Sequence, residues 1–182
     1  MKLARKLADW TVRIAPASRR SWAEAIRAEL DHVPPGRAWE FSAGGLLAAA
    51  RFRAFDPAFL ETSARYVLAG AGLVWAAMAF RLGLELHGGG VTLGAAMLFV
   101  NAGVFGVGGL ATALAGLRIT VLLGLPTLAA AGLYAAVAGE LLTGSPHSAF
   151  YRALAIEDFA ALLLAVVIAA GVRQYSRCTP AS

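Results

Sequence analysis

The stretch TLGAAMLFVNAGVFGVGGLATALAGL, from Thr92 to Leu117, decides the fold. It holds no Asp, Glu, Lys or Arg. It is longer than the roughly 20 residues a helix needs to cross a hydrocarbon core about 30 Å thick. Backbone amides and carbonyls find no water in that core, so a spanning segment must satisfy them internally as a helix or within a closed barrel. A barrel strand would alternate polar and apolar residues, and this run does not. Asn101 is its one strongly polar side chain, expected to hydrogen-bond to a neighbouring helix.

Three more stretches have the same character: about Tyr66 to Leu86, Ile119 to Leu142 around Pro126, and Ile156 to Val172. The whole chain agrees. Of its 182 residues, 59% are hydrophobic and 15% charged, and mean hydropathy is +0.66. Ordinary globular domains have about 45–50% apolar and about 25% charged residues. The expected fold is therefore an all-α membrane protein. A four-helix antiparallel transmembrane bundle spans about 66–86, 92–117, 119–142 and 156–172, because its short connections make sequential helices neighbours. This bundle occupies 63–175, a cytoplasmic helical segment occupies 1–62, and a cytoplasmic tail occupies 176–182.

Charge sets the orientation. Lys2, Arg5, Lys6, Arg13, Arg19, Arg20, Arg27, Arg37, Arg51, Arg53 and Arg65 all precede the first span. With both termini cytoplasmic, Arg118, Arg173 and Arg177 join them, leaving only Arg81 and Arg152 outside. Beside a membrane, this basic cluster is explained by anionic lipid more economically than by nucleic acid. Residues 1–15 lack an unbroken apolar run of the signal-peptide kind, and are expected to stay in the mature chain. A lone cysteine, Cys178, excludes an internal disulfide and a Cys-rich zinc site.

Small residues four apart recur in every span: Gly72 and Ala76, Gly109 and Ala113, Gly132 and Ala136, then Ala161, Ala165 and Ala169. Such pairs let helix backbones approach closely. Pro126 removes a backbone donor and is expected to kink the third span.

Three short helices are expected before the first span. Leu3, Leu7, Trp10 and Ile14 share one face of the first, which Pro16 ends. Ser21 and Glu24 fit a capping box opening the second. Trp22, Ala25, Ile26, Glu29, Leu30 and Val33 follow at helical spacing, and Pro34-Pro35-Gly36 closes the element. Arg37 to Phe55 forms the third, with Trp39, Ala43, Leu46, Leu47 and Ala50 expected inward on one side and Phe41, Ala48, Phe52 and Phe55 on another. About 60 residues bury little core unaided, so this segment is expected to lean on lipid, a second copy or another protein. Trp22, Ile26, Glu29, Leu30 and Trp39 are the candidate partner contacts.

The run Trp22-Ala23-Glu24-Ala25-Ile26-Arg27-Ala28-Glu29-Leu30, followed by Trp39 and Gly44-Gly45-Leu46, resembles the N-terminal segment of small bacterial inner-membrane proteins. Those begin with a Trp-x-x-Ala-(Met/Ile)-x-x-Glu-Leu helix, then a Trp-containing helix, then several spans. Some accompany sigma factors. The resemblance covers about 30 residues and implies a bacterial inner-membrane location and membrane-anchored regulation of the anti-sigma kind. This chain has Ile26 where Met is expected. It lacks the His and Cys ligands of zinc-type anti-sigma domains, so such a role would use a metal-free interface.

No catalytic or cofactor motif is visible, and no enzyme or cofactor is expected. Gly103 to Gly109 lies inside a span, which excludes a phosphate loop. Glu85, His87, Glu140, His147, Glu157 and Asp158 fall near the outer span ends, where carboxylates and imidazoles could hold a divalent metal of unknown kind or relay protons. The plainer reading is interfacial charge, with Glu157 and Asp158 favoured by the N-terminal dipole of the last helix. A regulatory or interaction protein is thus the first expectation, with the bilayer and a protein partner or second copy as its contacts. A small transporter or ion-binding protein is the alternative, and an accessory subunit of a larger membrane complex the second.

Overall fold

A computed structural model describes residues 2–141 and 148–178, with the side chains of 133–141 and 148 outside the description. Every regular element among the described residues is helical. In chain order these are α1 (Lys2–Ile14), α2 (Arg20–Glu29), α3 (Ala38–Ala54), α4 (Pro57–Gly88), α5 (Thr92–Ala115), α6 (Leu117–Leu141) and α7 (Ser148–Cys178). They divide into two compact units, Met1–Leu60 with Ser176–Ser182, and Glu61–Tyr175.

The first unit packs α1 against α3 along small residues. Ala4, Ala8 and Thr11, with Ala15 just past the helix end, line the inner side of α1, and Ala38, Ser42, Gly45 and Ala49 that of α3. Both sets step by four, three and four, so each forms a continuous stripe on one helix face. A Cβ on Gly45 would stand 2.9 Å from Ile26 Cγ2 and 3.7 Å from Thr11 Oγ1, so glycine is what admits α2 there. Leu30, 2% exposed, closes one cluster with Ala4, Ala8 and Ala38, backed by Val33 and Phe41. Ala15, Ala23 and Ala49 form another, backed by Val12, Ile14 and Trp22.

This seam reverses part of the sequence reading of α3: Trp39, Leu47 and Ala50, expected inward, are exposed. On α1, Leu3 and Trp10 also face outward. Size explains the reversal: methyl-sized side chains bring two backbones close, and the bulky residues are displaced to the outer faces. The capping box is also overturned. A 3-10 turn over Ala17–Arg19 runs directly into α2, so Ser21 is already inside the helix and makes no cap. The ion pairs Arg5–Asp31 and Asp9–Arg27 link the elements at the exposed surface, where such pairs contribute about 1 kcal/mol at most.

In the second unit, α4, α5 and the Ala149–Cys178 part of α7 are long and apolar enough to cross a membrane. Only 17%, 28% and 22% of their most apolar windows are buried within the protein, so most of that surface needs an apolar surrounding. These helices are compatible with lipid contact and a multi-pass membrane protein. The described part of α6 contributes a further apolar helix, Leu117–Gly132, which runs through Pro126.

Two of these helices extend beyond the expected spans. Asp56 accepts a hydrogen bond from the Phe59 amide at 3.1 Å, and Pro57 occupies the first helical position, so α4 begins ahead of Tyr66, where the first span is expected to start. The last helix starts at Ser148 rather than Ile156. Tight turns join α4 to α5 and α5 to α6, with Gly90 at φ +81° and Gly116 at φ +79°, conformations that favour glycine. Arg65 Nε donates to the Ala113 carbonyl at 2.9 Å, and its guanidinium also reaches the Leu114 carbonyl at 3.2 Å. It thereby caps the end of α5, where the helix dipole favours a cation.

The small-residue pairs find a use at the α4–α5 crossing. A Cβ on Gly109 would lie 2.9 Å from the Ala69 carbonyl oxygen, and one on Gly72 would lie 3.1 Å from the Phe105 carbonyl oxygen. Gly132 faces the Phe159 ring, while Ala136 falls outside the described side chains.

Candidate functional site

Apolar helices leave few polar side chains inside the second unit, and three of these meet. Asp158, on α7, is 5% exposed. One of its carboxylate oxygens accepts a hydrogen bond from Trp75 Nε1 of α4 at 2.8 Å. The other accepts from the Asn101 amide of α5. Three helices are thus tied to one carboxylate. Asn101 therefore makes the interhelical hydrogen bond its sequence position suggested.

Asp158 is not in the first turn of its helix. With α7 starting at Ser148, it lies about 15 Å along the axis at about 1.5 Å per residue, beyond the reach of the terminal dipole. Neighbouring Glu157 is exposed. Among the described residues, Asp158 has no Lys, Arg or His within ion-pair distance, because the ion pairs present are Arg5–Asp31, Arg27–Asp9 and Arg81–Glu85.

Asp158 and Asn101 line a cavity of about 370 Å³ between α5, α6 and α7. The rest of its wall is largely apolar, including Met97, Val104, Phe105, Ala131 and Leu162, with Thr127 adding a hydroxyl. A second cavity of about 360 Å³ shares Val104, Phe105, Thr127 and Leu162 with the first. Tyr151, 5% exposed, sits on α7 against Gly94 of α5, where any side chain would collide with its ring.

The chain matches no protein-family model, no curated protein and no solved structure.

Among the described outer candidates, Glu85 and His87 form no cluster with Asp158. Glu85 pairs with Arg81 four residues back at 3.2 Å, and both are exposed, as is His87. Glu140 and His147 lie outside the described side chains. Among the described residues no three His, Cys, Asp or Glu side chains come close enough to hold a metal ion together.

The candidate partner contacts occupy several environments. Leu30 is core, and Ile26 is half-buried against Gly45. Trp22 is half-buried, edge-on to Phe52 with ring centroids 5.2 Å apart, and Arg19 lies over the same Phe52 ring. Glu29 is exposed, and so is Trp39 at 52%. Sequence reasoning gave less weight to Leu47, 74% exposed, and placed Trp10, 56% exposed, on a face without naming it a contact. The signal for both was the matching pair of small-residue stripes, which leaves their helix faces without an internal neighbour.

Proposed function

We propose that this is a membrane-anchored interaction protein of the bacterial inner membrane, whose N-terminal helical unit captures a soluble regulatory partner at the cytoplasmic face. In this reading α4 to α7 form a four-span anchor with both termini inside. Support for the anchor comes from three helices of spanning length, from the apolar Leu117–Gly132 helix, and from the concentration of Lys and Arg before the first span. The resemblance of the Trp22–Leu30 segment to sigma-factor-associated proteins makes an anti-sigma-like role the specific form of this proposal.

The observation that carries the reading is the small-residue seam of the first unit. It closes α1 on α3 through alanine, serine, threonine and glycine, and leaves Trp10, Trp39 and Leu47 facing outward. Large aromatic and aliphatic side chains of this kind are what protein interfaces use as anchors. Trp39 and Leu47 are the proposed contacts. Ile26 and Leu30 hold the unit in shape, and Trp22 fixes Phe52.

Affinity purification of the full chain from gently solubilised membranes, wild type against Trp39→Ala/Leu47→Ala, tests this. A partner retained by the wild type and lost in the double variant is the expected result. Partners that persist unchanged in the variant, or no partner at all, would reject it. Co-purification of a differently tagged copy would instead identify homo-oligomerisation.

A further inference from the structure

The carboxylate of Asp158 lines a largely apolar cavity that opens to the surface beside exposed Val100 and Val104, and both partners holding it are neutral. Trp75 and Asn101 each donate one N–H, which orients the group and offsets part of its desolvation. Neither supplies positive charge, and no Lys, Arg or His among the described residues does so. An ionised carboxylate keeps about four acceptor positions, so two donors leave capacity on the side that lines the cavity.

The geometry points to a binding site for a monovalent organic cation, an amine or quaternary ammonium with an apolar body, in the cavity between α5, α6 and α7, with Asp158 as its counter-ion. Volume, wall and charge agree on that class. About 370 Å³ falls within the range of small-molecule sites, which are mostly apolar with a few placed polar groups. Phe105 and Met97 give the cation an aromatic and a polarisable neighbour. A hard divalent ion suits the cavity poorly: calcium takes 6–8 oxygen ligands, whereas among the described residues the oxygen-bearing side chains on this wall are Asp158, Asn101 and Thr127. A lipid headgroup amine is disfavoured too, because the phosphate beside it would be repelled by the same carboxylate. This site belongs to the second unit and is independent of partner capture by the first.

Titration calorimetry on the purified full chain in mild detergent tests the assignment, with benzyltrimethylammonium as probe and neopentylbenzene as its neutral counterpart. The wild type should bind the cation saturably and the neutral compound at least about tenfold more weakly. Asp158→Asn keeps the shape and removes the charge, and should weaken binding about tenfold or more, as loss of a desolvated charge pair does. Ala131→Leu keeps the charge and fills the cavity, and should weaken it comparably. No saturable binding to the wild type would overturn the proposal, as would equal binding of the neutral compound. If Asp158→Asn fails to fold, Ala131→Leu decides alone: undiminished binding there rejects the cavity as the site.

Discussion

Gly108 and Gly109 are adjacent on α5, yet alanine at each should have opposite effects. A Cβ at Gly109 would stand 2.9 Å from the Ala69 carbonyl oxygen and 3.2 Å from the Leu73 amide nitrogen, both backbone atoms of α4. Neither can rotate away, so the helices must separate. A gap of about 0.5–1 Å already forfeits a quarter to a half of the dispersion attraction across an interface. Overpacking of this kind costs about 1–3 kcal/mol. A Cβ at Gly108 meets nothing within 4 Å, so Gly108→Ala should be neutral or stabilising by up to about 1 kcal/mol, the helix-propensity difference between the two residues. Unfolding in mixed micelles, titrated with a denaturing detergent and followed by circular dichroism, reads both variants on one scale. Gly109→Ala should unfold earlier than wild type and Gly108→Ala no earlier. If Gly109→Ala is as stable as wild type, the α4–α5 crossing is misplaced and the reasoning fails.

Three further outcomes follow from single side chains. Leu30→Ala should destabilise the N-terminal unit by about 2–5 kcal/mol, which a unit of this size can hardly absorb; limited proteolysis should then cleave α1 to α3 far faster than in wild type. Ser42 Oγ is buried without a hydrogen-bond partner among the described residues, so Ser42→Ala should be neutral or raise resistance to the same protease, since an unsatisfied hydroxyl costs about 1–3 kcal/mol to bury; marked loss would show that the hydroxyl is bonded. Arg65→Met removes the donors at the end of α5 and should cost about 1–2 kcal/mol in the micelle titration, whereas no change would mean water replaces the cap.

The apolar helices of spanning length were legible because they rest on length and composition alone, as the Thr92–Leu117 run does, and three helices of that kind are present. Helix starts were less so. Asp56-Pro57 reads at first as a break after α3, but an N-cap Asp followed by Pro at the first helical position is equally a start signal, and α4 uses it so. The inner face of α3 was misjudged because apolar periodicity weights large side chains, while close helix packing selects small ones. Alanine, serine, threonine and glycine at matching spacing carried that information. Asp158 was visible as a candidate, and so was Asn101, but in different roles. Nothing in the sequence relates residues 57 apart on separate helices, and Trp75 drew no attention because tryptophan near a span is ordinary. Their meeting depends on which face of each helix turns inward, which the close glycine contacts decide.

The proposed function requires the N-terminal unit to lie on the cytoplasmic side of a multi-pass anchor. Single cysteines at Gly36→Cys, Gly89→Cys and Arg118→Cys in a Cys178→Ser background, with the native Cys178 as a fourth position, test it by labelling whole cells with a membrane-impermeant maleimide. Position 89 should react in intact cells, and positions 36, 118 and 178 only after permeabilisation. Labelling of position 36 from outside, or of 89 and 118 from the same side, would contradict the account.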